Sequence, residues 1–291
     1  MGADARRWPT AVGVVALALC LLPASAHSQS SVSPREAVEK ARTLEESGFP
    51  DRAQVYLEGL IERDESLGGR AEVLLELARL TPRWTLASAL LERIPDLTRD
   101  AEILSRTHVL LGDAHFAGRK YLSASREYED AAGLASGETA LAISLKRATS
   151  LAAAGDLTAA LELYERVSRR ADPGSEIRQW AQLGIARTHL EQGKTEEAAE
   201  RFRSVATEHP GSSAAPHAAA GAAVAFSKQG AAIESTAFLT LLEEAFPESF
   251  EPLLAARAAR EAAPPDTSSA PPDSVRDAEG PAPSQQSAGD R

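Results

Sequence analysis

Six times along its 291 residues the chain repeats one pattern: a small residue, a bulky residue four positions later, and a further apolar residue at seven. The sets are Ala53, Leu57, Leu60; Ala87, Leu91, Ile94; Ala124, Tyr128, Ala131; Ala160, Tyr164, Val167; Ala198, Phe202, Val205; and Ser235, Leu239, Leu242. Separations of four and seven bring three side chains onto one face of a helix. The ladders begin 34, 37, 36, 38 and 37 residues apart. Such a period holds two helices and their turns but no independent core, so each unit must bury part of its surface against the next.

The second helix of each unit is fixed by the ladder, and the first by what precedes it. Twelve residues before the ladder stand Ala41, Leu75, Gly112, Ala148, Ala186 and Ala223. All but one are small, as a close helix crossing requires. Three positions further on, Leu44, Ala78, His115, Leu151, His189 and Phe226 are expected to fill the hairpin interior. Gly48, Gly155, Gly193 and Gly230 fall five residues before their ladders, Gly118 falls six before, and Pro82 takes that place in the second unit. Glycine ends a helix there through a left-handed backbone conformation. Pro210 and Pro247 stop the second helices of the last two units.

At "LGDAHFAGRKYLSASREYEDA" and "IARTHLEQGKTEEAAERFRSVATEHP" the sequence resembles the tetratricopeptide repeat (TPR) family. The resemblance implies an all-α fold, an α-solenoid of about six TPR-like helix-turn-helix repeats over residues 33–262. A C-terminal helix after Pro247 would cap the array. In that family the first helices line the concave face and bind ligand. Taken residue by residue, the resemblance implies a partner-binding groove of Val109, Asp113 and Phe116; of Leu145, Thr149 and Ala152; of Trp180, Leu183, Arg187 and Leu190; and of Ala220, Val224 and Ser227. Members that clamp the acidic terminus of chaperones carry Lys and Asn on this face, where this chain has Val109, Leu145 and Leu183 and Asp113, Thr149 and Arg187. An extended or helical peptide fits the semi-apolar face better, with Phe116 and Trp180 as aromatic anchors. The competing role for Trp180 is packing against the preceding unit.

The two ends differ from the repeats. Arg6 and Arg7 precede the uncharged run "AVGVVALALCLL", and Ala24 and Ala26 follow in an A-x-A arrangement, which predicts a signal peptide over 1–26 and a short linker over 27–32. Twelve apolar residues are too few to span a bilayer, so no transmembrane anchor is expected after cleavage. Bulky Leu19 before Cys20 departs from a lipoprotein signal, leaving Cys20 a plain hydrophobe and the processed chain without disulfides. Residues 263–291, rich in Pro, Ser, Ala and Asp, read as a disordered tail.

Motifs for nucleophilic, phosphate-binding, dinucleotide-binding or metal chemistry are absent from the sequence. His108 and His115 lie seven apart, but His115 and His189 hold places that other units give to Leu or Phe, which favours packing over a metal. No catalytic, cofactor or metal residue is therefore assigned, and a net charge of -11 disfavours nucleic acid. The segment 190–230 looks like the repeat domains of Tol-Pal-associated periplasmic proteins and of outer-membrane assembly lipoproteins. That resemblance implies a non-enzymatic periplasmic scaffold, peripheral to the outer membrane, with a protein partner from the envelope assembly or division machinery. The alternatives are an accessory subunit that grips glycan for a peptidoglycan or polysaccharide enzyme, and an enzyme of unrecognised type. Replacing Ala160 or Ala198 with Arg should lower stability by about 3 kcal/mol or more through overpacking, while Glu197→Lys should leave it nearly unchanged. Thermal melts of the three variants check the register, and equal melting temperatures would contradict it.

Overall fold

The ladders do their work through a single geometry, a helical hairpin whose second helix carries the ladder inward. The computed structural model describes residues 32–64, 66, 70–249, 253, 254, 256 and 257. Among them six antiparallel pairs follow in order: α1 (Pro34–Glu46) with α2 (Pro50–Arg63), α3 (Ala71–Leu80) with α4 (Trp84–Leu91), and α5 (Ala101–Ala117) with α6 (Tyr121–Leu134). The array continues with α7 (Gly137–Ala153) and α8 (Leu157–Arg170), α9 (Glu176–Glu191) and α10 (Thr195–Glu208), and α11 (Ala215–Lys228) and α12 (Ala232–Ala245). Every ladder residue is buried, and so is each residue twelve positions before a ladder. The expected signal peptide, most of the linker and the expected tail lie outside the described residues. Of the expected cap, Ala256 is buried in the core of the last two units and Leu253 packs on it.

Consecutive hairpins share their cores. Ile143 of α7 completes the cluster built on Ala124 and Tyr128, and Ile185 of α9 completes the one built on Ala160 and Tyr164. Val73 and Leu77 of α3 close the first unit, and Leu111 of α5 closes the second. First helices also pack on one another, α1 on α3, α3 on α5, α7 on α9 and α9 on α11, forming an inner layer. Burial is thus local and chain-like, the defining property of a solenoid.

The turns of five of the six hairpins share a Schellman arrangement, the second being the exception. In the first hairpin Phe49 N–H donates to the Leu44 carbonyl at 2.9 Å and Gly48 N–H to Glu45 at 2.8 Å, and Gly48 has φ +85°. The same pair of bonds recurs at Gly155, Gly193 and Gly230, each with φ between +77° and +87°. In the third hairpin the expectation is corrected: Gly118 has φ −76°, and Arg119 takes the left-handed place with φ +58°. Its fork of hydrogen bonds, Lys120 N–H to His115 at 2.8 Å and Arg119 N–H to Phe116 at 2.9 Å, holds it there. The interior position three past the small residue therefore has a backbone role, since its carbonyl accepts the longer bond. His115 and His189 each keep a buried Nδ1 without a hydrogen bond, and burial lowers the His189 pKa, favouring the neutral ring.

The second unit departs from its neighbours. Its helix α4 has eight residues, and the ladder runs on through a short 3-10 turn at Ile94–Asp96, where Pro95 removes a donor that a longer helix would need. Ile94 is nevertheless fully buried, so the ladder outlasts the helix.

Close crossings depend on bare backbone under aromatic rings. A Cβ built on Gly112 would come within 2.5 Å of the Tyr128 ring, on Gly184 within 2.5 Å of Tyr164, and on Gly221 within 2.5 Å of Phe202. Gly112 is the small residue of its own hairpin, whereas Gly184 and Gly221 belong to the following unit. Gly184→Ala should lower stability by about 1 to 2 kcal/mol, because overpacking a buried ring outweighs the helix-propensity gain of about 1 kcal/mol. Arg119→Gly should raise stability by about 1 kcal/mol by relieving left-handed strain. Denaturant titrations of both variants measure the two effects with opposite sign.

Candidate functional site

The inner layer opens into a recess of about 310 Å³ where α5, α7 and α9 face one another. Three first helices contribute side chains: Asp113 and Phe116 from α5, Leu145 and Thr149 from α7, and Trp180, Leu183 and Arg187 from α9, with Asp113, Thr149 and Arg187 at equivalent places. The floor is made by two ladder residues, Tyr128 and Tyr164, with Gly184 beneath the Tyr164 ring. Seven of the nine residues expected in the groove are thereby brought to one recess. The other two stand elsewhere, Val109 on the core of the third unit and Leu190 on the core of the last two. Leu183 reaches the recess only as floor, since it is 1% exposed. Further along, Ala152 packs on the core of the fourth unit, Ala220 is buried, and Val224 packs against the core formed with α11.

Polar groups at the wall hold one another. Asp113 accepts the Tyr128 hydroxyl at 2.6 Å and the Lys146 ammonium at 2.7 and 2.9 Å, so one carboxylate joins α5, α6 and α7. Lys146 also lies 5.8 Å from the Tyr128 ring centre. The Tyr164 hydroxyl donates to Thr149 at 3.0 Å, and Thr149 donates to the Leu145 carbonyl at 3.0 Å. Burial raises the pKa of both tyrosines, with Asp113 adding to the effect at Tyr128, so both phenols stay protonated donors at neutral pH. Sequence reasoning missed Lys146, Tyr128 and Tyr164 as wall and floor. Only the ladder marks the tyrosines, and it marks them as core.

Trp180 lines the recess and is held from the following unit, not from the preceding one. Its indole N–H donates to Ser213 at 2.9 Å and its ring lies 5.3 Å from His217, both in the following unit. Ser213 in turn donates its hydroxyl to Glu176 at 2.6 Å and its N–H at 3.1 Å, and Ser212 donates to the same carboxylate at 3.2 Å. The residue is therefore a fixed wall whose tilt depends on the junction of α9 and α11. Phe116 is likewise held, edge-on to Tyr121 with centres 5.2 Å apart.

Arg187 is the exception. Among the described residues its guanidinium has no hydrogen-bond or ion-pair partner, and its electrostatic neighbours are Tyr164 and Glu191. The residue as a whole is exposed, yet protein packed around the head group lowers its pKa from the usual arginine value through desolvation, and it remains cationic at neutral pH.

A second recess of about 370 Å³ lies nearer the start of the array, among α1, α3 and α5. Its buried charge is internally balanced. Glu76, 1% exposed, meets Arg42 at 3.3 Å and Arg79 at 2.7 Å, and Arg79 also binds Glu45. Among the described residues no group of three or more His, Cys, Asp or Glu is placed to hold a metal ion. His108 instead pairs with Glu127 at 2.8 Å.

Paired helices stacked in register around a shared inner groove define a repeat α-solenoid that resembles the arrays of tetratricopeptide proteins. Residues 151–223 match the model of the tetratricopeptide repeat family, which supports that character from sequence over the stretch from the end of α7 into α11. Solved structures extend the fold likeness further. The nearly identical TPR-like repeats of a Podosopora anserina chain assigned as a kinesin light chain share 22% identity, cover 60% of this chain and 94% of theirs, and give a TM-score of 0.51. A form of the same repeats with one glutamine replaced by methionine, also 22% identical, gives 0.53 over 62% and 95%. BtubC from P. vanneervenii shares 14% identity over 87% of this chain and 99% of its own, with a TM-score of 0.52. At these identities the likeness is one of fold. No curated protein matches the chain.

Hydrogen bonds from Ser213, foremost, and Ser212 hold the Glu176 carboxyl below its ordinary value. A carboxyl depressed in the fold stabilises fully above its unfolded pKa of about 4.3 and loses that contribution as pH falls through the folded value. Acid titration of the melting temperature below about pH 4.5 should therefore fall more steeply for the natural chain than for Glu176→Gln, with indole fluorescence of Trp180 changing in the same window.

Proposed function

We propose that this protein is an exported, non-enzymatic scaffold of the bacterial cell envelope, acting in the periplasm and binding a peptide or helix of a partner protein in its inner groove. The repeat fold is one that serves protein-protein interaction, and residues 151–223 carry its sequence signature. The observation that bears most weight is the recess between α5, α7 and α9. It is walled by Phe116, Leu145 and Trp180, and its hydroxyl and carboxylate groups are already paired with one another. Such a surface offers apolar area and shape, which suit a side chain presented by another protein. Among the described residues no helix is long and apolar enough to cross a membrane. Export rests on the arginine pair, apolar run and A-x-A arrangement of the first 26 residues. The envelope setting rests on the resemblance of 190–230 to Tol-Pal-associated and outer-membrane assembly repeats.

Two measurements test the two halves of this reading. Residues 1–40 fused to an alkaline phosphatase that lacks its own leader should give active enzyme in a Gram-negative host, and an inactive, unprocessed fusion would remove the periplasmic assignment. Affinity capture from crosslinked envelope extract should enrich one or two proteins with the natural chain and lose them with Phe116→Ser plus Leu145→Ser. Leu183 and Trp180 are poor choices for that variant, because one is core and the other joins two units. Recovery of the same proteins by both forms would move the binding face elsewhere.

A further inference from the structure

The recess narrows the chemistry of its occupant beyond the class of peptide. Each acidic or hydroxyl group that reaches it is already used within the protein: Asp113 by Tyr128 and Lys146, and Thr149 by Tyr164. Lys146 is already matched by both oxygens of Asp113, so its charge is largely balanced within the protein. What remains, among the described residues, is an aromatic and aliphatic surface with one unpaired guanidinium at its wall, that of Arg187. A planar fork of donors matches one carboxylate in two parallel hydrogen bonds, and a partly dehydrated fork strengthens them. Among the described residues, the one carboxylate that lines the recess, Asp113, is already matched by the Lys146 ammonium, which favours an acidic over a basic occupant.

Direction along the groove separates two sources of carboxylate. The inner layer continues past the recess on both sides, onto α1 and α3 at one end and α11 at the other. The helices on either side give a chain longer than the recess further inner faces to lie on, which favours a strand that passes over it rather than one that ends in it. We infer that the recess recognises an internal Asp or Glu of a partner strand adjacent to an aromatic or branched aliphatic residue, the apolar side chain resting against Phe116, Leu145 and Trp180 and the carboxylate bound by Arg187. This rests on the peptide-binding reading above and adds the residue types read and the side chain that reads the charge. The depressed pKa of Arg187 agrees with a guanidinium that gains when an anion arrives.

The test uses the immobilised full chain and two libraries of random octapeptides, one capped at both ends and one with a free C-terminus. The natural chain should enrich capped peptides in which Asp or Glu neighbours Phe, Tyr, Trp, Leu, Ile or Val. Fluorescence anisotropy of a selected peptide and of its acid-to-amide twin then isolates the charge. Arg187→Gln should weaken the acidic peptide about tenfold and leave the amide twin unchanged, the scale expected for one charge-assisted contact. Arg187→Lys should restore part of the loss, and helical circular dichroism should be equal in all three forms. Enrichment of apolar peptides without an acid, or equal loss for both twins, overturns the role of Arg187 while leaving the groove a peptide site. Enrichment only from the free-terminus library replaces the internal acid with a chain end and overturns the inference. If neither library is enriched, the peptide-binding reading falls with it.

Discussion

The constraint on which this molecule rests is how near two helices can come when one of them presents a ring. At Tyr128, Tyr164 and Phe202 the ring lies on backbone with no side chain at all, supplied by Gly112, Gly184 and Gly221. Dispersion and burial both grow as the gap closes, and a methyl group in that gap would separate the layers. Because the two tyrosine rings also form the floor of the recess, the same distance that sets core density sets its depth. Stability and the candidate site are two faces of one crossing.

Much of the fold is legible because repetition multiplies a weak signal. One small-large-apolar triplet is common, but six at nearly constant spacing are demanded only by a stack of equal units. The structure buries each of those triplets, including the second, where the helix itself gives out and Ile94 is held by a tighter turn. What pattern alone does not reveal is which neighbour supplies relief. The Tyr128 ring is accommodated by Gly112 of its own hairpin and the Tyr164 ring by Gly184 of the next, positions that do not share one place in the repeat. Arg119 is a similar case. Glycine spacing places the left-handed turn at Gly118, but hydrogen bonds from residues 119 and 120 impose it on an arginine while Gly118 stays ordinary.

The candidate site is legible to the extent that a helix face is. Positions 113, 149 and 187 occupy equivalent places in three units, so projection along the period brings Asp113, Thr149 and Arg187 together. Depth and pairing are not legible. Leu183 and Leu145 are equivalent by spacing, yet Leu183 is core and Leu145 is only partly buried and stays in the wall. A core role for Trp180 would turn it backward along the array, and in fact it looks forward, since Ser213 lies within reach of its indole N–H only once α11 has docked. Hydrogen-bond partners far apart in sequence are products of the assembled array, and a period cannot announce them.

The shared cores also give the array a mechanical character. Each hairpin completes the core of the one before it, so adjoining units are coupled while distant ones are independent, as coils of a spring are. Bending such a body costs little, because a small rotation at each interface adds up along the stack without breaking any one core. The recess lies across α5, α7 and α9, and the Lys146 to Asp113 bridge in its wall joins α5 to α7 like a tie-bar. An occupant that wedges those helices apart would straighten the coil, and one that draws them together would tighten it. Neighbouring cores joined in this way would pass such a change from one groove toward both ends of the stack.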